Sequence, residues 1–258
     1  MLAYIIFTTV FLGLSSGAII QPRVSSNSSS AIQRFSFTAA ILYGPTGYYR
    51  QVCGGAVLTA TAVLSAASCL DTQGRPNPVS QYRVRAGSAQ PNAGGSVVSI
   101  YLINLHPNYN YKTLQSDIAV LRTDTLTYSA AVQPVAVAGA NYYVSDNDDV
   151  LVIGWGQNQS VSAELRNTLR YVQQKVVNPS YCKALLGYEG LTVTDGMLCT
   201  SRAGGEFCDG DYGGPVVHAA TGVLVGVAAY SYRCGERRYP SVSTRVAAYT
   251  NWIVDAAK

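Results

Sequence analysis

Charge is scarce in this 258-residue chain: Asp, Glu, Lys and Arg make up 12% of it, against 48% hydrophobic residues. So apolar a composition excludes a solvated, disordered chain and leaves material for one large or two small buried cores. Histidine is nearly absent. The two that occur, His106 and His218, lie far from any cysteine pair, and no Cys-x-x-Cys spacing exists, so no metal site is expected. No stripe of Lys and Arg interleaved with aromatics is present and the net charge is only +4, which argues against nucleic acid as a partner. Beyond residue 14 no apolar run is long enough to cross a bilayer, so no membrane association is expected. The run from Leu2 to Leu14 is itself too short for a span. Followed by Ser15-Ser16-Gly17-Ala18, it reads as a signal peptide over residues 1–17, and the protein is expected to be secreted.

What is present fits that compartment. Six cysteines suit an oxidising environment, and six allow fifteen pairings, so spacing leaves the connectivity open. Asn27-Ser28-Ser29 and Asn158-Gln159-Ser160 are glycosylation acceptors, at Asn27 and Asn158. The tract from Ser25 to Ser30 reads as a short flexible arm. After it come short β-rich runs broken by Gly, Pro, Ser and Asn: Phe37 to Leu42, Val52 to Leu58, Val97 to Ile103, Val150 to Ile153, Gly222 to Ala229. Helical periodicity is rare, which points to an all-β barrel or sandwich. Only the end differs: Val246, Tyr249, Trp252 and Ile253 share one helical face, predicting a C-terminal helix docked on the body.

Five motifs occur in order: Cys53-Gly54-Gly55, Leu64-Ser65-Ala66-Ala67-Ser68-Cys69, Asp117-Ile118-Ala119-Val120-Leu121, Gly154-Trp155-Gly156 and Gly210-Asp211-Tyr212-Gly213-Gly214-Pro215. Together they resemble the trypsin/chymotrypsin-like serine proteases, of the insect digestive type, and closely resemble that family's inactive homologues. The resemblance implies two six-stranded antiparallel barrels with a cleft between them, about 24–132 and 133–245, and a C-terminal helix over about 246–257. It implies the cystines Cys53–Cys69, Cys182–Cys199 and Cys208–Cys234. Gln21-Pro22-Arg23-Val24 looks like the family's activation site, which makes 18–23 a propeptide and 24–258 the protease-like domain. A new amine at Val24 would pair with Asp211, although Val24-Ser25-Ser26-Asn27 lacks the glycines usual in such a segment.

The same resemblance identifies the degenerate triad. Ser68 stands where the family's Thr-Ala-Ala-His-Cys has histidine, Tyr212 stands where Gly-Asp-Ser-Gly-Gly-Pro has serine, and Asp117 keeps its place. Acyl transfer needs an activated oxygen, a base to activate it, and donors for the oxyanion. A serine hydroxyl accepts no proton near neutral pH, and a phenol with an ordinary pKa of about 10 is both unactivated and bulky. Backbone donors at Gly210 and position 212 would remain. The resemblance places Glu206 at the floor of the specificity pocket, with Ser231 and Ser241 narrowing walls that are glycine in relatives admitting long basic residues. Arg85 to Gly95, near the family's calcium loop, contains no carboxylate, so no calcium and no cofactor is implied.

The reading that follows is a monomeric, non-catalytic binder whose partner is a protease inhibitor, a protease or a peptide. Tyr212, Tyr230 and Tyr232 would border the cleft, either as a binding face or as a plug facing one another. Two alternatives stand beside it. One is a serine-type endopeptidase of residual or unconventional activity, with Ser68 as nucleophile and Asp117 as base. The other is an abundant structural or storage protein of a secreted fluid.

Overall fold

A computed structural model describes residues 28–156, 168–201, 211–232 and 238–258. The expected signal peptide, the expected activation segment at Arg23 and Val24, the expected acceptors Asn27 and Asn158, and Glu206, Cys208, Gly210 and Cys234 lie outside the described residues.

Strand alternation sets the architecture. In the first half the strands are β1 (Thr38–Tyr43), β2 (Arg50–Thr59), β3 (Ala62–Ser65), a small ribbon of β4 (Asp71–Thr72) and β5 (Arg75–Pro76), then β6 (Tyr82–Ala86), β7 (Ser96–Leu105) and β8 (Ala119–Thr123). Six of them close in the order β1-β2-β3-β8-β7-β6. Side chains alternate between faces along a strand, and here both faces of four strands are buried. Ala39, Ile41, Val57, Val63, Ala119 and Leu121 fill the barrel interior. Their neighbours Ala40, Leu42, Ala56, Leu64 and Val120 turn outward into a second cluster shared with the other half of the molecule. That explains runs such as Ala39 to Leu42 and Ala62 to Leu64, which are apolar without alternation.

The second barrel comprises β9 (Asp149–Gly154), β10 (Arg170–Val176), β11 (Met197–Ser201), β12 (Pro215–His218), β13 (Leu224–Ser231) and β14 (Ser241–Arg245), closed as β10-β11-β14-β13-β12-β9. All its pairings are antiparallel, as are those of the first. The two barrels are joined by the shared apolar cluster and by direct backbone approach. A Cβ on Gly54 of β2 would come within 2.7 Å of Gly214 Cα, so this contact requires glycine. Trp155, 3% exposed, donates its indole N–H across the joint to the Ala89 carbonyl at 2.8 Å.

Two of the implied cystines, Cys53–Cys69 and Cys182–Cys199, are formed, one in each half. Each closes a loop of 16 or 17 residues, worth about 3 kcal/mol in the chain-entropy view. Three helices complete the fold: α1 (Ser28–Arg34), α2 (Pro179–Gly187) and α3 (Thr250–Ala256). Helix α1 corrects the expectation of a flexible arm through Ser30, because Ala31, Ile32 and Phe35 are buried against the body and hold that turn in place. Helix α2 begins with Asn178 accepting the Ser180 and Tyr181 N–H groups, followed by Pro179 at its first position. The C-terminal helix is present but starts later than residue 246. Tyr249 N–H bonds Val246 O, three residues back, which tightens Val246–Ala248 into a 3-10 turn before the α-helical pattern resumes.

Candidate functional site

Strand β3 delivers the chain from the barrel wall into a 3-10 turn at Ala67–Cys69, and Ser68 sits in the middle of that turn. Its position is fixed twice over, by the Cys53–Cys69 cystine beside it and by Asp117 opposite. Asp117 occupies the segment entering β8, after Ser116 at φ +54°, and is fully buried. Ser68 donates its backbone N–H to Asp117 Oδ1 at 2.7 Å and its hydroxyl to Oδ2 at 2.8 Å. Burial pushes the carboxyl up to about 6. The hydrogen bonds from Ser68 pull the other way, and the nearby Asp71 charge adds to the rise. Desolvation wins because water is shut out while only neutral donors face the acid.

Tyr212 reaches the same region from the second barrel. It stands in the turn ahead of β12, half-buried, and packs against the cores of both barrels. Its carbonyl accepts the Gly54 N–H at 2.7 Å, so the turn is pinned to the first barrel's β2. Gly213 follows at φ +77°, where a Cβ would collide with Ser65 Oγ and crowd the Gly54 carbonyl. Asp211 is half-buried, and its Oδ1 accepts the Gly156 N–H at 2.6 Å.

The structure thus brings together Ser68, Asp117 and Tyr212, three residues far apart in the sequence. It adds two that motif reading passed over. Thr244 Oγ1 donates to the Asp117 carbonyl at 2.6 Å, bracing the first barrel from β14 of the second. Tyr109 donates to Asp71 Oδ1 at 3.2 Å; burial raises its phenol, and the charges of Asp117 and Asp71 raise it further. Tyr109 lies three residues after His106, and no motif of the sequence marks it.

Neither histidine faces this cluster. The His106 ring stands edge-on to Tyr249 and Trp252, at 5.0 and 4.9 Å, and burial lowers its pKa. It helps seat the C-terminal helix. His218 Nδ1 lies 2.8 Å from the Tyr142 hydroxyl, on the far side of β12 from the turn that carries Tyr212.

The pocket residues are placed in part. Ser231 and Ser241 are register partners in β13 and β14, and their hydroxyls share one hydrogen bond at 2.7 Å. The three tyrosines do not form one face. Tyr232 stacks edge-on against Tyr239 at 4.8 Å and donates to Glu189 Oε2 at 2.7 Å, while Tyr239 donates to Glu189 Oε1. Tyr230 and Tyr232 both pack on the small cluster around Cys182 and Leu186, and burial pushes the Tyr230 phenol up to about 12. No sequence signal marks Glu189, which is 43 and 50 residues from the two hydroxyls it receives. Among the described residues no group of three or more His, Cys, Asp or Glu is placed to hold a metal ion, and no helix is long and apolar enough to cross a membrane.

Known proteins bear on this arrangement. A family model described as Trypsin matches residues 24–253. Trypsin, alkaline B of Manduca sexta is 38% identical over 236 residues, 90% of each chain. Trypsin CFT-1 of Choristoneura fumiferana is 38% identical over 238 residues, again 90% of each. Trypsin alpha of Drosophila melanogaster is 34% identical over 206 residues, 80% of this chain and 77% of its own. With paired six-stranded barrels, the Ser68–Asp117–Tyr212 meeting point and similarity along nearly the whole length, this chain belongs to the trypsin family.

Proposed function

We propose that this chain is a secreted, non-catalytic member of the family that acts by binding a protein, as a decoy for protease inhibitors or as a regulator of a protease. One observation carries the reading: the Asp117 carboxylate is occupied by Ser68, through two hydrogen bonds, with both described histidine rings engaged elsewhere. An acid that orients an imidazole has none to orient. In a triad protease, loss of the base or of the nucleophile alone costs about 10⁶ in turnover, or about 8 kcal/mol. Tyr212 adds bulk at the position where an acyl group would have to sit. Both formed cystines fit an oxidising compartment, which supports secretion. The relatives compared above bear the name trypsin; that name describes those proteins.

The test is a peptidase assay on the form beginning at Val24, run beside trypsin with a panel of peptide substrates. Turnover about 10⁶-fold below trypsin, or lower, is expected. Hydrolysis at stoichiometric purity that disappears in Ser68→Ala or Tyr212→Phe would overturn the proposal.

A second reading rests on the same hydrogen bond. Ser68 Oγ lies 2.8 Å from a carboxylate pushed up to about 6, which is a better base than an ordinary aspartate. A fluorophosphonate probe that labels Ser68 would favour this unconventional hydrolase. The expected result is no labelling, with trypsin labelled in parallel.

A further inference from the structure

An apolar cavity of about 260 Å³ opens on the second barrel. It sits where β11 divides its side chains. Leu198 joins the large apolar cluster shared by both barrels, while Met197 and Cys199 on either side of it join the small cluster around Cys182 and Leu186. The cavity occupies the seam between those clusters. Val176, Met197, Leu198, Val225 and Ala247, all buried, form its floor. Its walls come from the segment ahead of β9 and the residues ahead of β11, where Tyr143, 77% exposed, and the exposed Asp195 face solvent. None of Ser68, Asp117 and Tyr212 lines it.

One charge in the lining has no partner of opposite sign. Arg245 ends β14, half-buried, and donates its Nε–H to the Asp195 carbonyl at 2.7 Å, which fixes the guanidinium. Among the described residues neither of its terminal nitrogens donates to a protein atom, and no carboxylate pairs with it. The two acids of the lining are engaged elsewhere. Asp195 Oδ1 meets Lys183 Nζ at 2.6 Å, and Asp146 Oδ2 accepts the Asn178 amide at 2.7 Å. Asp146 also lies toward the opposite end. Arg245 N–H bonds Gly196 O, whereas Asn147 N–H bonds Val176 O, and Val176 is level with Thr200. From Gly196 to Thr200 the extended chain covers about 13 Å, beyond the roughly 8 Å over which exposed charges act at physiological salt.

We propose that this cavity binds a monocarboxylate with an apolar body, of the size of a medium-chain fatty acid. The floor offers water few of the roughly two to four polar partners it needs, so hydrocarbon is the better occupant. Since a cavity of about 150 Å³ takes up benzene, this one suits a chain of about ten carbons. At the Asp195 wall, a guanidinium held through Nε keeps both terminal nitrogens as a fork, the shape that matches one carboxylate. A phosphate monoester brings a second negative charge and finds no second cation, because Lys183 is taken by Asp195. An amine meets Arg245 as a like charge. The cavity shares no residue with the meeting point of Ser68, Asp117 and Tyr212, so the proposal holds whether or not the cleft hydrolyses anything.

The experiment is isothermal titration calorimetry of the purified full-length chain with decanoate, below the concentration at which it forms micelles, beside decanol and decylamine. Decanoate is expected to bind about tenfold more tightly than either. Octanoate, shorter by two methylenes, should bind about tenfold more weakly than decanoate. Arg245→Gln should lower decanoate affinity about tenfold and change decanol affinity less than about twofold, which shows that the variant keeps the cavity. Val144→Trp, on a half-buried part of the wall, should fill the space and remove binding of both. Absence of decanoate binding by the parent overturns the proposal. So does decylamine binding as tightly as decanoate, or an Arg245→Gln variant that binds decanoate like the parent.

Discussion

The two barrels share a strand plan but are held and charged differently. Residues 28–132 carry seven Lys and Arg with three Asp, whereas residues 133–258 carry ten Lys and Arg with eleven Asp and Glu. Among the described residues Lys175, Lys183 and Lys258 of the second half pair with aspartates, whereas in the first half no ion pair forms and Arg50 and Arg83 lie over tyrosine rings. Yet both close with equal regularity, each with a cystine of nearly equal loop length. Ion pairing is therefore no requirement of this architecture. Apolar burial on both faces of β1, β2, β3 and β8 does the holding.

The site divides along the same line. The first barrel contributes Ser68 and Asp117, the second Tyr212, and under the proposed reading each barrel has lost one triad member. The largest effect should come from restoring both. Ser68→His combined with Tyr212→Ser is expected to raise peptidase turnover at least about 1000-fold over the parent, with either change alone near the parental level. A double variant as inert as the parent would show that the barrels do not hold these positions in a productive relation.

A smaller effect separates the buried acid from its surroundings. The folded-state value of Asp117, about 6, lies above the ordinary one of about 4, so the fold favours the protonated form. Its contribution to stability is complete below about pH 4 and is lost as pH rises through about 6. The parent should therefore lose about 3 kcal/mol relative to Asp117→Asn between pH 4 and pH 7, read by urea unfolding. A difference that does not vary with pH means the acid ionises normally, and the barrel joint is wetter than the geometry suggests.

The smallest effect tests the charge contrast itself. Lys175 and Asp149 meet at 2.8 Å, but their side chains are 53% and 34% exposed. Lys175→Met should cost no more than about 0.5 kcal/mol in thermal or chemical unfolding. A loss several times larger would mean that the second barrel, unlike the first, depends on its ion pairs.

Much of this was legible in the chain. Short apolar runs at Val150 to Ile153 and Val52 to Leu58 became β9 and β2, each extended by a residue or two at either end because ladder hydrogen bonds continue past the apolar core. Ser68, Asp117 and Tyr212 were readable because family motifs carry them at recognisable spacings. Helix α1 was not, since Ser28 to Ser30 are polar and only the burial of Ile32 and Phe35 decides the matter. The tyrosines misled for the same reason. The family resemblance put Tyr212, Tyr230 and Tyr232 at the cleft, as a binding face or as a plug, but Glu189 and Tyr239 hold Tyr232 on the α2 side.

Composition and periodicity determined by themselves that this is an all-β protein of barrel or sandwich type, and motif order carried the resemblance that implies paired barrels. They act locally, through residues within a few positions of one another. Only the tertiary structure decided which hydroxyl satisfies Asp117, where Tyr232 turns, and that Arg83 lies over the ring of Tyr49. Those outcomes depend on segments tens of residues apart, brought together by barrel closure, and no local pattern encodes them.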